Sequence, residues 1–256
     1  MPEMMGMRPT LIGILVLVIN GTGSVAAHTD DLGLSHRYGE MADPSVWPIS
    51  AVGAVTVALD FSHRRFCTGT LVASTLVLTA AHCLFHGKQL VTSGNVRFLA
   101  GLNKGVPTAH SVAARLVISK EFAPGAWTQE VAATDWAVIV LRDALSIKPI
   151  SVKSMSSDQF RKLGSVLQVG YGLDRPYLPS IVRDCRVSEG PDDGAFMYRC
   201  LTNSGYSGAP ILADIDGTLS VIGIGSGGKR EEQLGMACSA RQFEKALVEL
   251  MRSEDR

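Results

Sequence analysis

The sequence predicts an all-β fold, a barrel or a sandwich, finished by one amphipathic helix. Three observations predict it. From residue 49 the chain breaks into short runs rich in Val, Ile, Leu and Thr, mostly five to ten residues long, which is strand composition at strand length. Turn residues punctuate these runs at the spacing of sandwiches and barrels. Only the last stretch, 239–253, carries apolar residues at helical spacing. A chain of 256 residues with 46% hydrophobic and 19% charged residues can bury a full core. Lys plus Arg and Asp plus Glu both number 24. The formal charge is therefore zero, and the basic bias that nucleic acid or an anionic membrane would select is missing.

The first 27 residues are read as a secretory signal. Arg8 precedes the apolar run "LIGILVLVI" (11–19), and small residues end the segment at Val25-Ala26-Ala27. That order places cleavage after Ala27. The alternative, a membrane anchor, needs about 20 apolar residues, and this run has nine. Residues 28–45 are polar, with Gly33, Gly39 and Pro44, and read as a leader or processed segment.

An N-terminal β-domain follows over 46–146. Its strand-like runs are "AVGAVTVAL" (51–59), "TGTLVA" (68–73), "TLVLTAA" (75–81), "NVRFLAG" (95–101), "HSVAARLVIS" (110–119) and "DWAVIVLR" (135–142). The polar stretch "DALSIKPISVKSMSSDQ" separates it from a second β-domain over 147–238. There the runs are "SVLQVGYG" (165–172), "IVRDCRVS" (181–188), "AFMYRCL" (195–201), "GAPILAD" (208–214) and "LSVIGIGS" (219–226). The polar "KREEQ" leads to the C-terminal helix and tail, 239–256. Phe243, Ala246, Leu247, Leu250 and Met251 share one face of that helix, with Glu and Lys on the rest. The stripe is that of a helix packed on the body of the protein.

A secreted chain permits disulfides. Cys67, Cys83, Cys185, Cys200 and Cys238 allow two bridges and one spare thiol, and their spacing leaves the pairing open. No C-x-x-C pair points to zinc.

Three stretches carry chemistry. "LTAAHC" (78–83) ends a strand-like run in small residues and presents His82. "TDWAVIVL" (134–141) sets Asp135 at the mouth of an apolar strand. If buried, that carboxylate needs donors, and a histidine N–H is one. "NSGYSGAP" (203–210) reads as a turn or as a strained loop holding a nucleophile. A serine hydroxyl needs a base, an orienting group and N–H donors for the oxyanion. The glycines let the backbone aim such donors.

In the order His, Asp, Ser, these stretches resemble the chymotrypsin-like (trypsin-like) serine proteases, and among them the secreted bacterial branch that includes the glutamyl endopeptidases. "TAAHC", "TDWAVIVL" and "GYSGAP" match the three site motifs, over a resemblance spanning 45–252. "VGYG" (169–172) is similar to the strand opening the family's second barrel, and "VIGIGSGG" (221–228) to the strand lining its cleft. The resemblance implies two six-stranded antiparallel β-barrels with the site between them. It implies Ser207 as nucleophile, His82 as general base and then acid, and Asp135 as the group orienting the imidazole. The N–H groups of Gly205 and Ser207 become the oxyanion hole. Ser204 becomes a residue of the cleft edge. It also implies bridges Cys67–Cys83 and Cys185–Cys200, with Cys238 left as a buried thiol. A protein or peptide substrate follows, on a monomer that is secreted or periplasmic, with no membrane contact once the signal is gone. Nothing asks for a metal or an organic cofactor.

Two departures matter. Trypsin has an aspartate before the nucleophile that pairs with a new N-terminal amine; here Tyr206 stands there. The loop must then be held by packing and hydrogen bonds. The residues aligned with the specificity pocket are Leu201, Thr202, Gly228 and Gly235, and the main chain of Ser226, Gly227 and Gly228 is expected to pair with the substrate backbone as an added strand. Gly225 stands where glutamyl endopeptidases carry a histidine. Neither a carboxylate for Lys or Arg nor a histidine for Glu is present, so an apolar P1 residue is expected. The match of "GIGSGG" (223–228) to G-x-G-x-x-G is an accident, because no helix and second strand follow it. The competing readings are a protease-fold binding module without activity and an esterase. An α/β-hydrolase would need G-x-S-x-G and alternating helices, and "GYSGA" breaks that motif at its last position.

Overall fold

A computed structural model describes residues 39–189 and 194–254. The expected signal, residues 28–38 of the expected leader, and residues 190–193 and 255–256 lie outside the described residues. Strands precede the linker as β1 (Glu40–Met41), β2 (Val52–Ala58), β3 (Arg64–Ala73), β4 (Leu76–Thr79), β5 (Phe85–His86), β6 (Gln89–Leu90), β7 (Val96–Ala100), β8 (Ala109–Ile118) and β9 (Ala137–Leu141). After β10 (Ser151–Val152) come β11 (Val166–Gly170), β12 (Ser180–Glu189), β13 (Ala195–Arg199), β14 (Pro210–Ile215), β15 (Thr218–Lys229) and β16 (Leu234–Ser239). The helices are α1 (Gln129–Thr134), α2 (Ser157–Lys162) and α3 (Glu244–Glu254).

The first six-stranded barrel closes in the order β2, β3, β4, β9, β8, β7, all antiparallel. In the second, β12, β11, β14, β15, β16 and β13 pair in turn, and β13 returns to β12. Closure decides between barrel and sandwich, because it leaves no unpaired edge within either ring. β9 is buried at every position, which its unbroken "AVIVL" anticipates.

β16 escaped the sequence reading, which saw only a helix after "KREEQ". "LGMACS" lacks β-branched residues, so composition does not flag it. It is a strand because β13 and β15 pair with it from both sides. The final helix consequently starts at Glu244 and not at 239, after a 3-10 turn over Ala240–Gln242. Phe243 and Leu247 are fully buried in the core cluster of the first barrel, and Phe243 packs on Trp136 at 6.3 Å between ring centroids. Each such side chain contributes about 1.5–3 kcal/mol by burial. The tail of the chain thus ties its two halves together.

Further pieces were not expected: α1, β5, β6 and β10, and also α2 and β1. α2 lies in the polar linker, where Ser156 and Gln159 form a reciprocal capping box. Within the expected leader, β1 pairs with β12, Glu40 opposite Ile181 and Met41 opposite Ser180. Residues 39–42 are therefore built into the second sheet.

Candidate active site

β4 ends at Thr79, and a 3-10 turn over Ala81–Leu84 presents His82. The Cys67–Cys83 disulfide ties this turn to β3. Arg65 reinforces it by donating to the His82 carbonyl at 2.7 Å. Asp135 follows the last turn of α1 and is almost wholly buried. Three donors offset the cost of burying its carboxylate. The His82 N–H donates to Oδ1 at 2.8 Å, the His82 Nδ1–H to Oδ2 at 2.6 Å, and the Ser226 hydroxyl to Oδ2 at 2.6 Å. With Nδ1 protonated toward the carboxylate, neutral His82 keeps the Nε2 lone pair free as a base.

The loop 203–208 is held from several directions. Gly205 has φ +96° and Gly208 φ +79°. A Cβ on Gly205 would come within 2.3 Å of the Tyr171 carbonyl, and one on Gly208 within 2.3 Å of Thr68 O, so only glycine serves at either position. Thr68, in the first barrel, is the main fastening. Its hydroxyl donates to Gly205 O at 2.8 Å and accepts from Tyr171 N–H at 3.0 Å, while its own N–H donates to Ser207 O at 2.9 Å.

The peptide planes then aim the remaining amides. Ser204 O accepts from Leu173 N–H at 2.8 Å, and Tyr206 O accepts from Ala209 N–H at 2.9 Å. In a trans peptide the N–H points opposite to the C=O. The Gly205 and Ser207 N–H groups are thereby turned away from those partners. Among the described residues neither amide donates to a protein acceptor.

His82, Asp135, Ser204, Gly205, Ser207 and Ser226 line one cleft of about 580 Å³. Its apolar wall is Phe85, Phe122, Trp127 and Leu173. Trp127 stands over Gly227, where a Cβ would meet the indole at 2.4 Å. A second pocket of about 330 Å³ opens beside Ser207 and Ser204, lined by Tyr198, Thr202, Asn203, Tyr206, Gly225, Gly227, Gly228 and Arg230.

Thr202, Gly227 and Gly228 thus lie where alignment puts them. Leu201 and Gly235 do not line this pocket. Leu201 faces a different cavity beside β12, as neighbours in an extended segment face opposite ways. Gly235 backs onto the Tyr198 ring, where a Cβ would sit 2.3 Å from Cζ. That ring occupies the space the alignment assigned to substrate. Thr68, Trp127, Tyr198 and Arg230 were missed by sequence reasoning, since no local signal marks them.

The sulfurs complete the picture. Cys185–Cys200 bridges the hairpin of β12 and β13, and Cys238 is a buried free thiol. Its Sγ lies 3.3 Å from Ala133 O, and burial pushes its pKa well up. Cys67, His82 and Cys83 have ligand atoms within 4.8 Å of one another. They make no metal site, because both sulfurs are spent in the disulfide and neither can become a thiolate.

The comparisons agree with this geometry. The family model described as Trypsin-like peptidase domain matches residues 67–224. No curated protein matches the chain significantly. With more than half of its length matched and both barrels formed, the chain belongs to the trypsin-like peptidase domain family.

Proposed function

We propose that the protein is a secreted serine endopeptidase in which Ser207, His82 and Asp135 act as nucleophile, base and orienting group. The observation that carries the reading is the double hold of buried Asp135 on His82, in the same cleft as Ser207. Ser207 Oγ attacks the scissile carbonyl carbon while His82 Nε2 takes the hydroxyl proton. The carbonyl oxygen becomes an oxyanion, received by the N–H groups of Gly205 and Ser207. His82 returns the proton to the departing amine, leaving an acyl-enzyme. Water, deprotonated by His82, then releases the acid and regenerates Ser207. Substrate main chain adds as a strand along Ser226–Gly228.

Among the described residues no carboxylate lines the pocket beside Ser207, so a Lys or Arg P1 side chain meets no counter-charge there, and Arg230 adds a cation that repels a basic one. An apolar P1 residue is the reading this lining supports. The two disulfides fit an oxidising compartment, outside the cell or in a periplasm. Among the described residues no helix is long and apolar enough to cross a membrane. We read the working form as a monomer.

The test is a fluorophosphonate probe on the mature protein, with the labelled residue mapped by mass spectrometry. Label on Ser207, lost in Ser207→Ala, is expected together with cleavage of a peptide library. Absence of both label and cleavage would establish the binding-module reading instead. Cleavage chiefly after Lys or Arg would overturn the pocket assignment.

A further inference from the structure

Tyr206 is the residue that sequence comparison left without a role. It is almost fully buried, and its ring lies against Gly170, where a Cβ would come 2.8 Å from Cδ1. Burial pushes the pKa of its phenol up, and the nearby Ser180 hydroxyl opposes that shift. Ser180 begins β12 and also accepts from Arg175 Nη2 at 2.8 Å. The same Nη2 donates to Gly39 O at 3.0 Å. Gly39 leads directly into β1, which pairs with Ser180 and Ile181, and Ala42 N–H donates to Pro179 O at 3.2 Å. A chain of hydrogen bonds therefore runs from residue 39 through Arg175 to Ser180, which lies beside the phenol of the residue before the nucleophile. Its hub is a guanidinium whose charge strengthens each bond it donates. The loop containing Arg175 is tied to the nucleophile loop a second time, through Leu173 N–H to Ser204 O.

We propose that Arg175 is a positioning residue for the nucleophile loop, anchored on residues 39–42, and that this segment belongs to the working enzyme. The inference rests on the peptidase reading of the same site. It gives the uncharged Tyr206 a function: the loop is ordered by a neutral phenol clamped from outside, with no ion pair at that position. It also sets a limit on maturation, since a cut beyond Gly39 removes an acceptor of Arg175 and the strand beside Ser180.

The test compares the full chain with Arg175→Met, Arg175→Lys and Tyr206→Phe. Hydrogen exchange is followed over 203–208, and kcat and KM on a cleaved peptide are measured in parallel. Arg175→Met should raise exchange in 203–208 about tenfold and lower kcat about tenfold, the cost of one hydrogen bond to a charged group. KM should stay within about twofold in Arg175→Met, because Arg175 lines neither the cleft nor the pocket beside Ser207. Arg175→Lys should recover part of the loss, and Tyr206→Phe should weaken the loop without adding to the effect of Arg175→Met. The N-terminus of the active protein should lie at or before Gly39. Unchanged exchange over 203–208 in Arg175→Met overturns the proposal, as does full activity in a form starting after Ala42. If the loop loosens as expected while the unmutated chain neither labels nor cleaves, the clamp stands and the peptidase reading falls.

Discussion

Thr68→Val is the sharpest probe of how the nucleophile loop keeps its shape. Thr68 is fully buried, and valine matches its volume while deleting the hydroxyl. The change strands two backbone groups, the Gly205 carbonyl and the Tyr171 N–H, which Thr68 Oγ1 serves at 2.8 and 3.0 Å. Each buried group left unsatisfied costs about 1–3 kcal/mol, so the variant should lose about 2–6 kcal/mol of stability. That is a large fraction of the roughly 5–15 kcal/mol available to a domain. Thr68→Ser keeps the hydroxyl and loses one methyl, which costs about 1 kcal/mol. The assay is urea unfolding of both variants, with the rate of fluorophosphonate labelling at Ser207 measured well below the transition. Thr68→Val should label slowly even while folded, because the Gly205 peptide is released, and Thr68→Ser should label nearly as fast as the unmutated protein. Equal stability of the two variants, or equal labelling rates, would refute the claim that this hydroxyl holds the loop.

Four other outcomes follow from the structure. Asp135→Asn should lower kcat by about 10³–10⁴, the cost of holding the imidazole in the wrong tautomer, with wild-type turnover the result that sinks the assignment. Ser226→Ala removes the 2.6 Å donor to the same carboxylate; denaturant titration should show a loss of about 1.5–3 kcal/mol and a far smaller drop in kcat than Asp135→Asn. Replacing Cys67 and Cys83 together by serine opens a cross-link of sequence separation 16, and a fall of about 3 kcal/mol is expected by calorimetry. Cys238 should resist iodoacetamide at pH 8 in the native protein and react once unfolded, because burial raises its pKa and keeps it a thiol; native labelling at the rate of a free cysteine would contradict its burial.

Much of this protein was legible in its sequence wherever the signal is local. "DWAVIVLR" and "TLVLTAA" announce strands by composition alone, and β9 and β4 form within them. The capping box of α2 was also written in the chain, as Ser156 followed three residues later by Gln159, and was passed over as linker because its surroundings are polar. β16 was not legible, since Gly235, Met236 and Ala237 become strand through pairing with β13 and β15 and not through propensity. The pocket beside Ser207 followed the same rule. Thr202 lines it as alignment places it, but Tyr198 and Arg230 enter from positions that no motif marks.

By itself, then, the sequence determined most of the barrel strands, the family motifs and the cysteines near them, because periodicity and turn chemistry act over a few neighbouring residues. The tertiary structure decided what holds the site in place. Thr68 reaches Gly205 across 137 positions of chain, and Arg175 reaches Gly39 across 136. The first bond crosses between the two barrels and the second joins the N-terminal segment to the second barrel, and in both a side chain acquires its partner only when distant backbone is brought to it.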